Sequence, residues 1–290
     1  MTSPDPLELH RAAGRFFEAG GVRSFVREEG SGDPVVCLHG VPTSSFLYRK
    51  VLPELAERGL RGVAFDLPGL GLAERRPTYD YSWTGLGRFA LAAVDALELE
   101  RFHLVVHDLG GPVGFELAAA ARDRVRSVTV LDTLVEVDTF RRPWSMEPFA
   151  HRGLGELYLR TLTKPAFRAL MALQGVGDMS KVEPAELDAH VDLLKRDDGG
   201  WAFLRIMRGF ERTREKRDLY VSALRDVPYP VRVVWGAEDP ALKVGVHGEQ
   251  ARLAAGLERI YTVRAKHFLQ EDQPEAVAEH VAQLAATASA

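Results

Sequence analysis

Short β-branched runs alternate with helix-like stretches along this chain, and that alternation restricts the fold more than any other feature. The runs fall at 21–26, 35–38, 62–65, 103–106, 127–131, 231–235 and 259–263. Helical patterns lie at 46–58, 85–97, 111–121, 246–255 and 274–285. Such a pattern predicts a mostly parallel central sheet with helices on both faces. The order breaks once. From about 135 to 225 no strand pattern occurs, but helical periodicity runs over 156–173, interrupted at Pro165, and over 184–194. The segment 135–225 is therefore expected to be a helical cap inserted into a core formed by 1–134 and 226–290. Open α/β sheets bind ligands beyond the C-terminal ends of their strands, so the cap is expected to act as a lid there.

The 290 residues can bury a core of this size as one large domain with an insertion, or as two domains. A net charge of −4 gives no basic face, so nucleic acid is not an expected partner. The single cysteine, Cys37, sits in the apolar run "VVCL" and is expected to be a buried small hydrophobe. The opening "MTSPDPLELHR" lacks the basic start and apolar run of a signal peptide. No stretch reaches the roughly 18 apolar residues of a membrane span. A soluble, cytoplasmic protein with no membrane partner is expected, its tail "AQLAATASA" a fraying helix end. "GLGLA" at 69–73 lacks the third glycine of a dinucleotide loop, and the histidines show no metal-ligand spacing. Neither an organic cofactor nor a metal is implied.

The stretch "HLVVHDLGGPVGF" reads as a strand, a tight turn and a helix, with Asp108 at the turn. It resembles a nucleophile elbow, whose strained turn needs small neighbours because the helix packs close. Gly110 supplies one; Val106 stands where a glycine is usual. "CLHGVPTSS", after an early strand, resembles a His-Gly-x-Pro oxyanion loop. Its Val41 N–H and the Leu109 N–H after the nucleophile would be the donors. His39 is read as a hydrogen-bonded loop anchor. "KHFLQEDQP" places His267 after the last strand as the candidate base. Two acids are candidates to orient it: Asp239 in "VVWGAEDPAL", preferred because it lies in a loop, and Asp132 at the end of "SVTVLD".

Together these stretches resemble the Asp-nucleophile branch of the α/β-hydrolase fold, the haloalkane dehalogenases and epoxide hydrolases, over nearly the whole chain. "HGVPTSSFLYRK" and "HFLQEDQPE" are most similar to dehalogenases. The resemblance implies attack by a carboxylate on an sp³ carbon, giving an alkyl ester that water, activated by histidine, then hydrolyses. It implies a small hydrophobic epoxide or halogenated substrate, with water as co-substrate. Dehalogenases of this type carry tryptophan directly after the nucleophile and some carry asparagine or glutamate in the His-Gly-x-Pro loop; here those positions are Leu109 and Val41. Epoxide hydrolases use one or two lid tyrosines to protonate the opening oxygen. Tyr158 lies near the first such position. At the second, "MRGFE" carries Phe210; Tyr220 and Trp201 are the nearest alternatives, with Trp144 a further cap candidate for the leaving group. Epoxide opening is the expected activity and dehalogenation the alternative. A weakly catalytic ligand-binding protein on the same fold is the third reading, since fold alone does not fix function.

Overall fold

A computed structural model describes residues 5–288. Eight strands form one sheet: β1 (Gly14–Ala19), β2 (Val22–Glu29), β3 (Asp33–Leu38), β4 (Leu60–Phe65), β5 (Phe102–Asp108), β6 (Val125–Thr133), β7 (Val231–Gly236) and β8 (Tyr261–Val263). Their order across the sheet is β1-β2-β4-β3-β5-β6-β7-β8. β1 and β2 are antiparallel, β2 pairs antiparallel with β4, and all later pairs are parallel.

The six strands from β3 to β8 explain the composition of the runs. A parallel strand covered on both faces is mostly apolar, and β5 is buried from Phe102 to His107, its two histidines hydrogen-bonded. Alternate side chains feed opposite layers: Val36 and Leu38 join the core on one face, Val35 and Cys37 that on the other. Cys37 is thus a buried free thiol. The sheet order reverses around β3, which has β4 on one side and β5 on the other. The crevice at that switch lies between the ends of β3 and β5. Leu38, His39 and Gly40 emerge there beside Asp108.

Strand β1 was not foreseen. "GRFFEA" has two adjacent phenylalanines instead of a clean alternation, and it is held by antiparallel pairing to β2, with Phe16 opposite Phe25. The short helix Pro6–Ala12 overlaps the start of the chain, but residues 1–4 of the stretch read for a signal peptide lie outside the described residues. Helix Pro274–Ala288 runs to the end of them, and residues 289–290 of the expected fraying tail lie outside.

Between β6 and β7 the described residues form helices and no strand. The expected helix over 156–173 is two helices, Leu154–Thr161 and Lys164–Leu170. Thr163 caps the second by accepting the Ala166 N–H, and Pro165 sits in its first turn, where its missing N–H costs nothing. Two further helices, Trp201–Arg208 and Arg214–Ser222, follow in the same segment. The second packs on helix Gly110–Ala120 of the core, with the Tyr220 and Phe115 rings 5.6 Å apart. No helix among the described residues is long and apolar enough to cross a membrane.

Candidate active site

Asp108 ends β5 with φ +50°, a left-handed backbone that an aspartate tolerates better than most side chains. Two contacts hold the turn. Thr133 Oγ1 donates to the Asp108 carbonyl at 2.5 Å, and helix Gly110–Ala120 starts directly after Leu109. A Cβ on Gly110 would lie 2.2 Å from the Leu38 carbonyl oxygen, and one on Gly40 2.3 Å from the Asp108 side chain. Glycine at both positions is therefore required for the two loops to meet. The unusual Val106 is accommodated because Gly114, one turn along the helix, leaves room for its methyl group.

The two Asp108 oxygens face different partners. Oδ1 accepts the Val41 N–H at 2.8 Å, and the Leu109 N–H also bonds the carboxylate. Oδ2 lies 3.5 Å from His267 Nε2. On the far side of the imidazole, Nδ1 donates to Asp239 Oδ2 at 2.8 Å. Asp239 Oδ1 accepts the N–H groups of Ala241 and Leu242 at 2.7 and 2.9 Å. The loop after β7 thus fixes the carboxylate by its own backbone.

Charge follows this geometry. Burial acts to raise the Asp108 carboxyl, but His267 and the N–H donors outweigh it and hold the group below the usual carboxylate range. Asp239 is likewise lowered against its burial, chiefly by the His267 charge. Burial pulls His267 down, yet the two carboxylates raise it well above an ordinary histidine. Each carboxylate thus favours a protonated imidazole between them.

Asp132 occupies a different position. Its carboxylate accepts the Gly236 N–H at 3.0 and 3.1 Å and makes no hydrogen bond to the imidazole. Burial and the nearby Asp239 charge raise its carboxyl well above the usual range. Of the two candidate acids, Asp239 bonds the imidazole and Asp132 bonds the Gly236 N–H instead.

One cavity opens onto Asp108 and His267. Its wall is mostly apolar, with Val41, Leu109, Phe149, Tyr158, Phe167 and Phe210 among the lining side chains. Tyr158 is half-buried against Phe149, ring centres 4.9 Å apart, and its hydroxyl has no hydrogen-bond partner among the described residues. Phe210 lies in the wall but carries no donor. The other three cap residues expected at the leaving group are elsewhere. Trp144 is 68% exposed, because its neighbours Pro143 and Ser145 take the inward positions. Trp201 packs edge-on to Tyr81 and lines a separate surface groove. Tyr220 is wholly buried between Trp83 and Phe115, its hydroxyl 3.3 Å from Glu116.

Several cavity neighbours had no readable signal. His107 Nε2 donates to the His267 carbonyl at 2.8 Å, and burial, then the His267 charge, lower it to about 4, so it stays neutral. Gln174 and Ser145 line the cavity itself. His107 precedes Asp108 in the chain, but no sequence spacing ties Gln174 and Ser145 to the site; only the folded chain brings those two there. His39 accepts the Leu67 N–H at 3.1 Å, in keeping with a loop anchor. No group of three or more His, Cys, Asp or Glu suited to a metal ion is found among the described residues.

A carboxylate at a strand-to-helix elbow, an imidazole and a second acid on a sheet of this order define an α/β hydrolase. The chain belongs to the α/β-hydrolase fold family, whose model matches residues 33–274. It is 30% identical to haloalkane dehalogenase 2 of Mycobacterium tuberculosis, over 95% of this chain and 96% of that one. Its structure is similar to that of Cfl2 from Burkholderia cenocepacia, with a TM-score of 0.81, 25% identity, and coverage of 93% and 94%. The fold is also that of the epoxide hydrolase CorEH, with a TM-score of 0.76, 22% identity, and coverage of 94% and 98%. Within the family it is a hydrolase of the haloalkane dehalogenase and epoxide hydrolase branch.

Proposed function

We propose that this enzyme opens a small hydrophobic epoxide to a diol through an alkyl ester on Asp108. The observation that carries the choice of leaving group is the Tyr158 hydroxyl, unpartnered in the cavity wall, in a site where no tryptophan faces Asp108. A halide is held by N–H donors and needs no proton, whereas an epoxide oxygen must be protonated as its C–O bond breaks.

Asp108 Oδ2 attacks a ring carbon. The C–O bond breaks, its electron pair passes to oxygen, and Tyr158 transfers its proton there. Oδ1, held by the Val41 N–H, becomes the ester carbonyl oxygen, with the Leu109 N–H also at the carboxylate. The same donors stabilise it when it turns into an oxyanion. In the ester His267 gives up its proton, which restores Tyr158, and the neutral imidazole then takes a proton from the water that attacks the ester, with Asp239 supporting the cation. As the intermediate collapses, the other proton of that water passes to the leaving oxygen, and the diol departs from the Asp108 carboxylate. The helical segment 135–225 is the lid of this reading, although its Arg214–Ser222 helix docks on the core. Its substrate and water are the only partners the reading needs, and it takes place in solution, in the cytoplasm. It calls on neither a metal nor an organic cofactor.

The unmodified enzyme is expected to convert styrene oxide or 1,2-epoxyhexane to diol, with little bromide release from 1-bromohexane. Tyr158→Phe is expected to lower kcat/KM for the epoxide by about 10²-fold, the scale of a single general acid. Side-by-side diol and halide assays check both statements. Rapid bromide release without epoxide turnover would move the enzyme to the dehalogenases.

The charges also set a pH dependence. Alkylation removes the Asp108 charge, and with it one of the two anions that raise His267. The imidazole of the ester therefore loses its proton at lower pH than that of the free enzyme. Hydrolysis still needs that proton gone, so kcat should fall as pH drops through the His267 value in the ester. Alkylation needs only ionised Asp108, whose carboxyl is lowered. The acid limb of kcat/KM is thus expected at lower pH than the acid limb of kcat when hydrolysis limits turnover. Coincident limbs in the two profiles would contradict this.

A further inference from the structure

With Phe210 in the wall, a single hydroxyl would face the opening oxygen. An alkoxide developing in an apolar cavity gains from each additional donor aimed at it. We propose that Gln174, oriented by Ser145, is a second donor to the epoxide oxygen, its side-chain amide bonding the leaving oxygen while Tyr158 protonates it. This inference rests on the epoxide reading above.

Three observations place the amide. First, Gln174 lies in the single turn Met171–Gly175, which is strapped to the loop carrying the imidazole. The Gln174 carbonyl accepts the His267 N–H at 3.4 Å, and the Gly175 carbonyl accepts the Phe268 N–H at 2.8 Å. The turn and the imidazole therefore keep a fixed relation. Second, Gln174 and Ser145 line the same cavity as Asp108, His267 and Tyr158. Third, the buried Ser145 hydroxyl donates to Gln174 Oε1 at 2.8 Å. The carbonyl end of the amide is thus occupied, and its Nε2 has no hydrogen-bond partner among the described residues. A primary amide has two N–H donors.

The division of labour follows from chemistry. A carboxamide does not surrender a proton near neutral pH, so it cannot replace Tyr158. It can lower the energy of the anion that forms as the C–O bond breaks. The Asp108–carbon bond forms, the ring C–O bond breaks, and the only proton transferred in that step comes from Tyr158. The ester then breaks on its acyl side, away from the amide. Gln174 should therefore act on the first step and leave the second unchanged.

The test measures single-turnover adduct formation with styrene oxide in a His267→Gln background, where the ester accumulates. Adding Gln174→Leu, close in volume, is expected to slow adduct formation about 10- to 100-fold, the scale of one oxyanion donor. Ser145→Ala is expected to give a smaller slowing in the same direction. Gln174→Glu supplies a readout that packing alone would not move. Its protonated carboxyl donates and its carboxylate repels the developing anion, so adduct formation should fall as pH rises through the ionisation of that glutamate. Adduct rates unchanged by Gln174→Leu, and a pH-independent rate with Gln174→Glu, would overturn the inference while leaving the ester mechanism intact. Absence of any adduct in the His267→Gln background alone would instead overturn the epoxide-through-ester reading.

Discussion

His267→Gln is expected to stop catalysis after one alkylation, with kcat reduced by roughly 10⁴-fold or more, the scale seen when the base of a catalytic triad is removed. Glutamine keeps a polar side chain in the space of the imidazole but cannot take a proton from water. The first step does not use that base. Asp108 keeps its N–H donors from Val41 and Leu109, which favour its ionised form. The expected record is therefore a burst of one equivalent of substrate consumed, followed by almost nothing. A variant that consumes no substrate in the burst, yet melts like the parent, would contradict this order of steps.

The second large effect belongs to Asp239. Its Oδ2 accepts the Nδ1 proton of His267, so it fixes the tautomer that leaves Nε2 free to act on water. Asp239→Asn removes the charge that most raises the imidazole and permits the wrong tautomer. Turnover is expected to fall by about 10³- to 10⁴-fold, as for the orienting acid of other triads. Asp132→Asn is expected to cost at most about 10-fold in kcat, because Asp132 bonds the Gly236 N–H and not the imidazole. Steady-state rates of both variants, each checked for folding, decide the matter. A larger loss at Asp132 than at Asp239 would reassign the acid.

Much of this architecture was legible in local composition, and the reason is physical. A strand buried on both faces holds mostly apolar side chains, so β3, β5 and β7 read as largely β-branched runs. β1 pairs along one edge of the sheet and escapes that rule. The elbow was legible because a left-handed turn packed against a helix restricts residue types at Asp108, Gly110 and Gly40. The segment between β6 and β7 was legible as helix but not as surface. Trp144, Trp201 and Tyr220 are aromatic residues of the inserted segment, as a leaving-group donor would be, yet which side of each element faces the cavity depends on tertiary packing. Tyr158 and Phe210 face it; the other three are directed to solvent, a surface groove and the core. Gln174 and Ser145 were silent for the same reason, since they lie in separate short turns that meet only in the folded chain. Residue spacing likewise did not separate Asp132, at the end of β6, from Asp239, in the loop after β7; the hydrogen bond to Nδ1 does.

The central claim is that Asp108 becomes covalently bound to the substrate carbon. Intact-mass and peptide mass spectrometry of the His267→Gln variant, after incubation with styrene oxide, tests it most directly. The account predicts a gain of one substrate mass, carried on the peptide that contains Asp108 and lost when Asp108→Asn is added. An unmodified Asp108 peptide during the burst, or an adduct on another residue that persists in the Asp108→Asn variant, would contradict it.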